Sequence, residues 1–116
     1  MEKPVIEYSH GIFAPYYNSI EIFSDGYTTI VSTLDGFKKE DNFYIPSNQV
    51  REYAKKLEKA GIFKLKHVDN SPDGFTPRRF VLNWGGKEKT FSWEKKAPKL
   101  KGLDEIIKEL TELINQ

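Results

Sequence analysis

Arg78-Arg79-Phe80-Val81-Leu82-Asn83-Trp84, then Gly85-Gly86, then Lys87-Glu88-Lys89-Thr90-Phe91-Ser92-Trp93 is the stretch on which the fold turns. Two β-rich runs flank a glycine pair, and a two-residue hairpin loop of the favoured type needs positive φ at its central residues. The turn length sets the register, placing Phe80 opposite Phe91 and Leu82 opposite Lys89. Side chains alternate across a strand. One face therefore carries Phe80, Leu82, Trp84, Phe91 and Trp93, with Arg78, Lys87 and Lys89 around them. The other carries Arg79, Val81, Asn83, Glu88, Thr90 and Ser92. A hairpin with one apolar and one polar face belongs to an antiparallel sheet covered on one side only.

Two segments suit that cover. From Pro46 and Ser47, the positions Val50, Tyr53, Ala54, Leu57 and Ala60 recur at helical spacing, and the Ser47 hydroxyl is placed to cap the first turn. Gly61 falls where a left-handed C-cap residue is wanted, with Ile62 positioned to pack back on the last turn. After Pro98, Leu103, Ile106, Ile107, Leu110, Leu113 and Ile114 form a second apolar stripe. Ile62-Phe63-Lys64-Leu65-Lys66 reads as a short strand, and His67 to Pro77 as a long loop.

Towards the N-terminus, Ser19 to Phe23 alternates with period two, Asp25-Gly26 supplies a hairpin turn, and Tyr27 to Leu34 is β-rich. Val5 to Tyr8 is a further strand candidate, separated from this hairpin by an aromatic loop, His10 to Asn18. The whole chain, residues 1–116, reads as one α+β domain. Its expected order is β-β-β-α-β-β-β-α, an antiparallel sheet of about five to six strands with two helices on one face.

Composition narrows the class. With 38% hydrophobic and 14% aromatic residues, the chain is too apolar for a disordered polymer. It has no cysteine, so disulfide, thiolate and cysteine–zinc chemistry are all excluded. The first residues show no apolar stretch suited to a signal peptide, which points to the cytoplasm. Net charge is +1 but unevenly spread: residues 62–101 hold ten Lys/Arg against four Asp/Glu, while the segments before and after are acidic.

Four features bear on function. Asp69-Asn70-Ser71-Pro72-Asp73-Gly74 begins like a calcium loop, but the pattern breaks because its twelfth position is Phe80 and its flanks are strands. No catalytic motif occurs, and the two histidines, His10 and His67, have no metal-ligand spacing. Nothing requires a cofactor or a metal, and the chain is expected not to be an enzyme. An enzymatic role would need a cleft joining a histidine to distant carboxylates.

Two binding readings remain. In the first, Phe13, Tyr16 and Tyr17 of the aromatic loop form a hot spot for a protein partner; the alternative is that Phe13 and Tyr16 fold over the open end of the sheet. In the second, Arg79, Lys87, Lys95, Lys96 and Lys99, within the basic 78–101 region, contact a nucleic acid. The aromatics needed for base stacking share the core face, which weighs against this second reading. The basic surplus is also modest.

Gly11-Ile12-Phe13, Ile20 to Gly26, Gly61-Ile62-Phe63-Lys64-Leu65, Lys89-Thr90-Phe91 and Pro98-Lys99-Leu100 follow in an order that resembles two groups of small domains. One is the emfourin group, inhibitors of thermolysin-type metalloproteases. The other comprises domains that open with Cys-Phe-Gly-x-Cys-Pro, a position held here by Phe13-Ala14-Pro15. The resemblance implies an antiparallel α+β fold and inhibition of a protease by surface docking. A non-catalytic protein-binding module, monomeric or homodimeric and not membrane-bound, is the leading expectation.

Overall fold

The structure is a computed structural model that describes residues 2–11, 16–34, 37–66, 78–93 and 97–115. Its strands are β1 (Ile6–His10), β2 (Tyr16–Ile22), β3 (Tyr27–Leu34), β4 (Phe37–Tyr44), β5 (Arg78–Trp84) and β6 (Lys87–Trp93). Helix α1 spans Ser47–Ala60, a 3-10 turn follows over Ile62–Lys64, and α2 spans Leu103–Ile114. The six strands form one sheet in the order β4-β3-β2-β1-β5-β6, every neighbouring pair antiparallel.

The hairpin that decided the fold has the expected register, with Phe80 against Phe91 and Leu82 against Lys89. Gly85 and Gly86 both take positive φ, 61° and 76°. Phe80 and Phe91 stack with ring centroids 5.6 Å apart. Register then propagates through β1, which sets Ile6 beside Leu82 and Ile22, and Tyr8 beside Phe80 and Ile20. These residues are buried on one face of the sheet and form a single core with Val50, Ala54 and Leu57 of α1 and Leu103, Ile106 and Leu110 of α2.

Three sequence expectations need correction. First, the strand order is β-β-β-β-α-β-β-α, because a fourth strand stands before α1 and Ile62 to Lys64, directly after it, is not a strand. β4 has every residue exposed except Phe43, which is partly buried, so it lacks the apolar alternation that marks a half-buried strand. Its pairing comes from β3, with Leu34 opposite Phe37 across a two-residue connection.

Second, Ile62-Phe63-Lys64 is a 3-10 turn rather than a strand. Gly61, at φ 98°, reverses the chain, and the Lys64 and Leu65 amides donate back to Gly61 and Ile62 at 3.0 and 3.2 Å. Those amides are then spent locally and are not offered to a sheet. Ile62 is fully buried all the same, as the C-cap reading requires.

Third, Pro46 rather than Ser47 is the N-cap of α1, and no side-chain cap bond forms. Pro46, at φ −57° and ψ 133°, already holds the cap conformation, and its carbonyl accepts from the Gln49 amide at 3.0 Å.

Candidate functional site

Both helices pack on the same face of the sheet, so the residues between the core positions form a second face that no helix among the described residues covers. Its middle is a shallow depression lined by Glu7, Ser9, Tyr17, Ser19, Glu21 and Arg79. Strand register explains the grouping. Arg79, Ser9, Ser19 and Val31 lie in one row across β5, β1, β2 and β3, and Val81, Glu7, Glu21 and Thr29 lie in the next. The two serines are small, so taller neighbours stand around them. Val81, although on this face, is only 2% exposed; its neighbours in register are Glu7 and Thr90.

Glu7 and Glu21 are direct cross-strand partners. Burial, and next the facing Glu21 carboxylate, push the Glu7 carboxyl above its ordinary value, while Arg79 works in the opposite direction. Glu88 adds to the upward push and Lys3, like Arg79, opposes it. Among the described residues, no group of three or more His, Asp or Glu side chains could hold a metal ion.

At the far end of the same face stands an aromatic corner. Tyr27 and Tyr44 are paired in register, their ring centroids 5.2 Å apart, and Phe23 lies 6.2 Å from Tyr27. Tyr44 is 69% exposed. The Asp25-Gly26 turn holds this corner: Asp25 accepts from the Tyr27 amide at 2.9 Å, and the Gly26 carbonyl accepts from the Ile45 amide at 2.9 Å. Tyr17 faces the same side from the other end of β2, opposite Thr33. Tyr27 and Thr33 are six positions apart along β3, roughly 20 Å of extended chain.

The sequence-predicted residues are distributed unevenly. Tyr17 is partly buried and lines the depression, and it belongs to β2 rather than to a loop. Tyr16 begins the same strand, with its side chain outside the described residues, as is all of Phe13. Of the basic set, Arg79 is exposed on the face opposite the helices, whereas Lys87 lies on the helix-bearing face with its ammonium 5.6 Å from the Phe63 ring. Lys99 is exposed ahead of α2; Lys95 and Lys96 lie outside the described residues. Phe91 and Trp93 are buried at 3% and 2%, so neither ring is open to a base. The calcium-like stretch 69–74 and His67 are likewise outside the described residues.

His10 ends β1 between Asn18 and Arg78 in register, and neither neighbour is a carboxylate. Burial first, then Arg78, lower the pKa of its imidazole. Glu7, Glu21 and the Tyr27–Tyr44 pair escaped sequence reasoning. One local signal for the tyrosine pair existed: Asp35-Gly36 repeats the hairpin dipeptide at 25–26 and foretells a strand ending near Tyr44.

No family model matches the chain, and no curated protein matches it. The resemblance to emfourins and to the Cys-Phe-Gly-x-Cys-Pro domains is thereby overturned. The second group's opening needs cysteines that this chain does not have. The segment offered as their shared strand, Ile62 to Leu65, starts with a 3-10 turn. What remained in common was hydrophobic spacing and turn chemistry, which many antiparallel α+β domains share.

Proposed function

We propose that this protein is a non-catalytic binding module that docks a protein partner on the face of its sheet opposite the two helices, between Tyr17 and the Tyr27–Tyr44 corner. The observation that carries the reading is the make-up of that face. Serine, threonine and asparagine supply adaptable hydrogen bonds there, and tyrosines supply rigid contact area at its two ends. Tyrosine loses little conformational entropy when held and is over-represented among binding hot spots. Tyr44 is the strongest candidate anchor, because its ring is braced by Tyr27 yet largely in water.

The test replaces Tyr44 with a photo-crosslinking phenylalanine analogue and, as a control, places the same group at exposed Lys55 on α1. Irradiation in lysate of the source organism should join one protein stoichiometrically at position 44 and none at position 55. Tyr17→Ser should reduce the yield at least severalfold while the far-ultraviolet circular dichroism stays unchanged. Equal labelling at both positions would sink the reading. Salt-labile nucleic acid retained by the Tyr17 variant, and lost when Arg79, Lys87 and Lys99 are neutralised together, would transfer the function to the basic residues.

A further inference from the structure

β4 is the outer strand of the sheet and pairs with nothing on its far side among the described residues. The Ile45 amide, one residue past the strand, donates to Gly26 at 2.9 Å. Main-chain groups alternate in direction along a strand, so odd-numbered residues of β4 aim at β3 and even-numbered ones, from Lys38 to Tyr44, aim outward. We propose that this edge pairs with β4 of a second copy of the chain, antiparallel about a two-fold axis through Glu40. This inference is independent of the docking reading above.

Charge rules out an axis at Asp41, and the placement of Phe37 with the length of overlap decides between Glu40 and Lys39. A two-fold axis perpendicular to the sheet keeps both helical layers on one side, so even residues meet even ones and odd meet odd. Centred on Glu40, the axis sets Lys39 against Asp41 twice, Lys38 against Asn42 twice, and Phe37 against Phe43 twice. The one like pair is Glu40 on Glu40. Centred on Lys39, it would match the charge balance, with Lys38 against Glu40 twice and Lys39 on Lys39, but would place Phe37 against Asp41 and shorten the overlap. Centred on Asp41, it would set Asp41 on Asp41 and Lys39 against Phe43.

Only the Glu40 register gives Phe37, 80% exposed in one copy, an aromatic neighbour. Within one copy Lys39 and Asp41 make only a loose pair at 3.8 Å, both largely exposed. Edges guarded by lysine alone repel their copies; this edge instead carries both signs in self-complementary order.

Sedimentation equilibrium over about 1 µM to about 1 mM, a range suited to a small interface, tests the proposal. Wild type should show a monomer–dimer equilibrium. Lys39→Asp and Asp41→Lys should each weaken the dimer about tenfold, since each turns two attractive pairs repulsive, and the double swap should restore it. Glu40→Gln should tighten it by removing the like pair. Asn42→Pro deletes an outward N–H and no bond to β3, so it should abolish the dimer with an unchanged circular dichroism spectrum. A monomer at every concentration would overturn the proposal. So would a dimer indifferent to both the charge swaps and Asn42→Pro.

Discussion

Gly26 and Gly61 take nearly the same backbone angle, φ 93° and 98°, yet their surroundings differ. A Cβ on Gly61 would meet no atom within 4 Å, whereas one on Gly26 would fall 2.0 Å from the Ile45 carbonyl oxygen. Gly61→Ala should therefore cost only the left-handed backbone penalty, about 1 to 2 kcal/mol. Gly26→Ala adds a clash with main chain that cannot step aside, and should lower stability by more than ~3 kcal/mol. Urea denaturation of the two variants side by side checks the order. Glu7 makes a second prediction at this scale. Its folded pKa is raised, so the folded state binds the proton more tightly, and stability falls as pH rises from the ordinary carboxylate value through the folded one. Glu7→Gln should accordingly be more stable than wild type at pH 7, and the gap should close in acid. A thermal-melt series at several pH values would show it.

Among the elements, the two helices are joined at their exposed flanks by Lys56 and Glu105 at 3.2 Å, a solvent-exposed pair of small energetic weight. Tyr53 contributes more. Burial, and then its hydrogen bond to the Glu109 carboxylate, push the Tyr53 phenol up to about 12. Because the folded pKa exceeds the unfolded one, this stabilisation is complete below pH 10 and is lost as pH climbs towards 12. Tyr53→Phe should blunt alkaline unfolding, read as a smaller fall in melting temperature between pH 9 and pH 11. The same scale shows what the sequence could reveal. The β5–β6 register was legible because a two-residue turn leaves one parity, and α1 was legible because Val50, Tyr53, Ala54 and Leu57 repeat and Gly61 ends them. β4 was not, since an edge strand with Phe43 as its one partly buried residue has no period to read. The local alternation of Ile62 to Lys66 misled, because the i to i+3 bonds that follow Gly61 prevailed over strand propensity.

For the molecule as a whole, the apolar stripes and the parity of the Gly-Gly hairpin dictated a sheet with both helices on one side, and the core followed. The candidate site was much less legible. Tyr17 stood out in an aromatic run, but Glu7, Glu21 and Arg79 come from three strands and meet only through the pairing of β1 with both β2 and β5. No spacing in the chain records that meeting. Core truncation is predictable at this scale too: Leu57→Ala, fully buried beneath the sheet, should cost about 2 to 5 kcal/mol by chemical denaturation.

Of the described strands, the first to be synthesised is a central one. β1 acquires β2 almost at once, but its other edge stays open until β5 has been made, because Ile6 pairs with Leu82 and His10 with Arg78. At ordinary synthesis rates of roughly 5 to 20 residues per second, that delay amounts to seconds. Throughout it the nascent chain exposes an apolar strand edge, and the domain closes by insertion of its last hairpin against its first strand.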